Sequence, residues 1–159
     1  MSGAAAELRA LFRAAPARPK LAVAESLTGG RLQARITEIS GASEFFLGGV
    51  TAYELGQKVK LLSVDPLHAK EVNGVSARVV EEMAVGVCRL FGADLGIATT
   101  GYAEPAPADG VKVPFAWIAI ARSGGEVKSW RADFAGAARV EVQTRVVDAA
   151  LDALVAMLR

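Results

Sequence analysis

Cysteine and histidine are almost absent, with one of each, Cys88 and His68. A single cysteine excludes an intrachain disulfide framework and a cysteine-rich metal site. A single histidine defines neither a metal centre nor a Ser-His-Asp triad, because the partners either would need are not placed by the sequence. Cys88 shares an apolar helix face with Ala84 and reads as core, and His68 reads as a surface residue. Charge is scarce too. Charged residues make up 22%, with 18 Lys and Arg against 17 Asp and Glu, for a net +1. That balance offers no basic stripe for nucleic acid and no polybasic membrane anchor. No apolar run approaches the ~20 residues of a membrane span. The alanine-rich start, Met1 to Ala15, carries Glu7, Arg9 and Arg13 at helical spacing and has no continuous apolar core. A secretory leader is therefore not expected, and a cytoplasmic location is.

Apolar material, by contrast, is plentiful: 52% of 159 residues, with a mean hydropathy of +0.32. That suffices for one core, and no linker or repeat divides the chain, so residues 1–159 are expected to form a single domain.

Leu8, Leu11, Phe12 and Ala15 mark a short helix ended by Pro16 and Pro19. Lys20 to Ala24 reads as a buried strand leading into a helix of about ten residues, the usual length. Phe45 to Tyr53 reads as a strand, Gln57 to Leu62 as a helix, and Asp65-Pro66 as an N-cap with proline in the first turn. Ser76 caps a helix whose apolar face runs through Val79, Val80, Met83, Ala84, Val87 and Cys88. Asp94 to Thr99 is a further strand. Val113 to Ala121 and Glu126 to Phe134 form a hairpin about Ser123-Gly124-Gly125. Trp117 and Trp130, in those hairpin strands, read as packing groups or as part of a subunit interface. A last amphipathic helix carries Val146 to Leu158. The expected architecture is three-layer α/β/α, with a mixed, mainly parallel sheet and a late β-hairpin.

Two segments hold the candidate chemistry. In Glu25-Ser26-Leu27-Thr28-Gly29-Gly30, hydroxyls and paired glycines precede a helix. There, backbone N–H groups and the helix dipole favour an anion such as a phosphate. The same pattern also fits Ser26 or Thr28 as a plain helix cap. The second segment runs from Gly48-Gly49 through Tyr53 to Lys58, five residues beyond the tyrosine. Glycines inside a strand mark a close approach of backbone or ligand. A lysine beside a serine acts as a general base when desolvation lowers its pKa, although most lysines are solvated surface groups.

These segments, with Val75-Ser76 and Thr100-Gly101, occur in an order and spacing that resembles the CinA C-terminal domain family, clearly from about Leu21 to Gly101. Family members of known activity hydrolyse the carboxamide of nicotinamide mononucleotide (NMN) to nicotinic acid mononucleotide and ammonia. The resemblance implies Ser26 as nucleophile, Lys58 as its base and Tyr53 beside them. It implies Thr28, Gly29, Gly30, Gly49, Thr100, Gly101 and Arg139 as substrate-binding residues. It also implies a small-molecule nucleotide as substrate, no metal or organic cofactor, and a homo-oligomer. Departures from the pattern include Leu27 for a cysteine, Glu54-Leu55 for Ser-Asn, Glu104 in a glycine-rich loop, Lys112 to Phe115 at a strand start, and Gly136 to Arg139 at a Gly-Asp-Arg turn. Glu54 is placed to pair with Lys58. The alternative is a catalytically degenerate family member that binds a ligand or a protein.

Overall fold

Alternating large and small residues along three strand segments dictate how the layers pack. Leu21-Ala22-Val23-Ala24, Leu95-Gly96-Ile97-Ala98 and Ile118-Ala119-Ile120-Ala121 each send bulky side chains to one face and alanine or glycine to the other. In the computed structural model, which describes residues 3–159, the bulky face packs under α1 (Gly3–Ala14), α2 (Arg31–Thr37) and α6 (Arg139–Leu158). The small face takes α5 (Ala77–Phe91), with α3 (Leu55–Leu62) and α4 (Pro66–Glu71) beyond it. A Cβ on Gly96 would collide with the Ala84 carbonyl of α5, so that glycine lets the helix backbone rest directly on the sheet.

The strands are β1 (Leu21–Glu25), β2 (Phe46–Thr51), β3 (Leu95–Tyr102), β4 (Phe115–Arg122) and β5 (Val127–Asp133). Their order is β2-β1-β3-β4-β5. β1 pairs parallel with β2 and β3, while β4 is antiparallel to both β3 and β5. Four strands therefore point one way and β4 alone is reversed. The sheet is mixed and mainly parallel, with helices on both faces and a late hairpin. The carboxyl ends of β1, β2 and β3 meet at one edge, where open α/β sheets bind ligands.

Local chemistry sets the element ends. The Ser76 hydroxyl accepts the Val79 N–H to start α5, which stops at Gly92 in the left-handed region. The Asp65 carboxylate accepts the His68 N–H, with Pro66 in the first turn of α4. Two expectations need correction. α2 has seven residues rather than about ten. His68 is half-buried, and its Nε2 lies 2.8 Å from the Ser76 hydroxyl, tying α4 to α5. Cys88 is buried as expected, and desolvation pushes its thiol up to about 11, leaving it an inert core group. Among the described residues, no helix is long and apolar enough to cross a membrane.

Candidate active site

Three strand ends deliver the site. Ser26 follows β1 directly, Tyr53 and Glu54 follow β2, and the segment from Tyr102 to Ala106 leaves β3. Together with Lys58 on α3, Asn73 to Val75 before α5 and Arg139 at the start of α6, they line a cleft of about 510 Å³. That volume suits a small organic ligand. A larger hollow of about 610 Å³ beside Phe12 and Arg13 contains no serine and no buried lysine.

At the floor of the cleft, Lys58 is 3% exposed and Ser26 6%. The Lys58 amine donates to the Ser26 hydroxyl at 2.7 Å and to the Ala52 and Tyr53 carbonyls at 2.8 and 2.9 Å. A charged ammonium fills all three bonds. A neutral amine keeps both carbonyls with its two N–H bonds and turns its lone pair toward Ser26. Burial pulls the Lys58 pKa down to about 8, against a smaller upward influence from the Glu54 carboxylate. The expected Glu54–Lys58 ion pair is not formed. Glu54 is exposed at the N-cap of α3 and acts on Lys58 only at a distance. Removing that charge as Glu54→Gln should lower the Lys58 pKa further, read from the titration of its side-chain amine by NMR. A shift to higher pH would contradict this placement.

The turn after Ser26 differs from expectation. Neither Ser26 nor Thr28 caps α2. The N-cap is Gly30, at φ 96°, and it contributes no side chain. Instead the fully buried Glu25 reaches back with both carboxylate oxygens to accept the Leu32 and Gln33 N–H groups, at 2.8 and 3.0 Å. The anion position at the start of α2 is thus occupied by the chain's own carboxylate. Gly29 and Gly30 lie outside the cleft lining and serve the turn through positive φ. Thr28 is fully buried, its hydroxyl 2.9 Å from that of Thr99, and does not line the cleft. Gly49 packs against Gln33 and the Val23 carbonyl, where a Cβ would not fit. These four residues lie outside the cleft lining.

The remaining expected residues do converge. Ser26, Tyr53, Lys58, Thr100, Gly101 and Arg139 all line the cleft. Thr100 is buried and donates to the Gly74 carbonyl at 2.7 Å, holding the α4–α5 connection against β3. Arg139 spans the mouth, donating to the Tyr53 hydroxyl at 3.0 Å and to Glu104 at 2.9 Å.

Residues missed at the sequence level include Gln143, which donates to the Leu27 carbonyl at 2.9 Å from within α6. Also missed was Asn73, whose amide reaches the Tyr102 hydroxyl and Asp109. A lone glutamine on an otherwise apolar helix face was the available signal for the first. Asn73 carried no periodic signal.

The model of the CinA C-terminal domain matches residues 4–158. The chain belongs to the CinA C-terminal domain family. Its relatives include a CinA-like protein of Nostoc punctiforme, 40% identical over 84% of this chain and 33% of that protein. Another is a CinA-like protein of Picosynechococcus, 45% identical over 64% of this chain and 24% of that protein. The chain spans about a quarter to a third of the curated relatives it matches. Solved family structures are covered almost whole. One is the competence damage-inducible protein A of Klebsiella pneumoniae, at TM-score 0.87 and 34% identity, over 98% of this chain and 94% of that one. Another is a competence or damage-inducible protein of Enterobacter asburiae, at TM-score 0.90 and 27% identity, over 98% and 96%.

Proposed function

We propose that this family member is an amidohydrolase that cleaves the carboxamide of NMN or a related pyridine nucleotide, with Ser26 as nucleophile and Lys58 as base. The observation that carries this reading is the 2.7 Å contact between a buried lysine amine and a buried serine hydroxyl on the floor of an open cleft. Neutral Lys58 takes the Ser26 proton as Oγ attacks the carboxamide carbon. The tetrahedral intermediate collapses with C–N cleavage, and the Lys58 ammonium returns its proton to the departing nitrogen, giving ammonia and a Ser26 ester. Water, deprotonated by Lys58, then hydrolyses the ester to the carboxylate and restores Ser26. The Ala52 and Tyr53 carbonyls keep the amine aimed throughout. Because Glu25 occupies the start of α2, the oxyanion is assigned to donors other than the Leu32 and Gln33 N–H groups.

Purified protein incubated with NMN should release ammonia, and Ser26→Ala should lower that rate by at least about a thousandfold, as loss of a nucleophile does elsewhere. A parent protein indistinguishable from Ser26→Ala would sink the reading. The second reading, a binding module without turnover, is favoured by one observation: Arg139 is already engaged by Glu104 and Tyr53 across the mouth. It predicts stabilisation by a ligand without ammonia release.

A further inference from the structure

We propose that Glu104 is a specificity-determining residue that weakens the cleft's hold on the phosphate of a pyridine nucleotide, so that the cationic pyridinium carboxamide with an uncharged tail, the nucleoside, is accepted alongside it. This rests on the carboxamide reading of the same cleft. Arg139 is the only arginine lining that cleft. Its two terminal nitrogens are directed at Glu104 and the Tyr53 hydroxyl. Once Lys58 is neutral and able to act as a base, the charged groups lining the cleft are Arg139, Glu54 and Glu104. One positive charge against two negative leaves the working cleft at minus one.

A phosphate dianion entering this cleft must take Arg139 from Glu104 and then lie beside the displaced carboxylate. The displacement itself is easy. Both side chains are about half exposed, at 42% for Arg139 and 59% for Glu104, and exposed ion pairs are weak. The lasting penalty is that the displaced carboxylate stays on the same rim, where it adds a negative charge near the phosphate. Its backbone is held between the end of β3 at Tyr102 and the Ala106–Val111 bridge, with Pro105 following Glu104, so only rotation of the side chain carries the charge away. A ligand ending in a free hydroxyl meets no such repulsion. Its positively charged ring, with the carboxamide directed at Ser26, would lie among groups of net negative charge.

The test is calorimetric binding of NMN and nicotinamide riboside to Ser26→Ala protein, with and without Glu104→Gln. Glu104 is exposed, so the substitution leaves the fold intact. The Gln form should bind NMN roughly three- to tenfold more tightly and leave the riboside unchanged or slightly weaker, the size expected for one exposed charge. Adding Arg139→Gln should remove most of that gain, because the two side chains act as a pair. Weaker NMN binding in the Gln form would overturn the proposal, since Glu104 would then be orienting Arg139 for the phosphate. An unchanged NMN-to-riboside ratio, or no binding of either ligand, would overturn it too. Ammonia release by the parent separates the two ideas: its absence alongside the affinity shift removes the hydrolase reading and leaves the charge selection standing.

Discussion

Lys58→Met should abolish amide hydrolysis, by at least about a thousandfold, while the protein stays folded. The methionine keeps most of the lysine's length and apolar stem inside α3 but offers no lone pair to Ser26. In the parent, log kcat/KM should climb with pH and level off above about 8, as the buried amine loses its proton. A parent whose rate is flat from pH 6 to 9 would show that Lys58 is not the base.

The same titration carries a stability signature of fixed sign. The folded pKa lies below the ordinary lysine value of 10.5, so the unfolded chain binds more protons between the two. Stability should therefore rise as pH increases from about 8 toward 10.5, by on the order of 3 kcal/mol at most. Subtracting the pH–stability curve of Lys58→Met isolates this contribution from the other titrating groups. A difference that falls with pH would contradict the buried, desolvated amine.

Gly86→Ala should be the most damaging conservative substitution. Gly86 lies within α5, and a Cβ there would fall well inside contact with the backbone of Leu62, the last residue of α3. A backbone neighbour has no rotamer to adopt, so α3 must move as a unit. Overpacking of this kind costs about 1–3 kcal/mol, and a clash with a carbonyl belongs at the upper end. Because α3 also carries Lys58, its displacement should loosen the contact with Ser26. Both Tm and kcat should fall, with kcat falling even well below the new Tm. A variant with full kcat at low temperature would show that α3 yields without disturbing the amine.

The large-scale architecture was legible because it rests on patterns that survive any one residue. Alternation of Leu, Val and Ile with alanine or glycine marks β1, β3 and β4, and the apolar face of α5 runs through six expected positions. The hairpin turn was visible in Ser123-Gly124-Gly125, with Gly124 at positive φ. What failed was local competition for the same donors. Ser26, Thr28 and the two glycines gave a sound argument for an anion site, but Glu25, read as loop and found at the end of β1, takes the Leu32 and Gln33 N–H groups of the first turn of α2. The rim was illegible for another reason. Arg139 meets Glu104 across 35 residues and Tyr53 across 86, and pairings at that separation depend on the sheet being built first. Glu54 and Lys58 showed the reverse error: proximity in sequence permitted an ion pair, but Glu54 stays exposed at the N-cap of α3 while the buried Lys58 amine is taken up by Ser26 and two backbone carbonyls.

Glu25 also determines how the turn after Ser26 behaves when the cleft is empty. Anion sites built on helix starts are filled by a phosphate, sulfate or carboxylate supplied from outside the turn. Here the ordering anion is covalently part of the strand that delivers Ser26, present at unit stoichiometry and undilutable. The turn is therefore ordered without any ligand, and a ligand need not sacrifice affinity to organise it. Sulfate or inorganic phosphate should accordingly leave this turn's conformation unaffected, however concentrated the buffer.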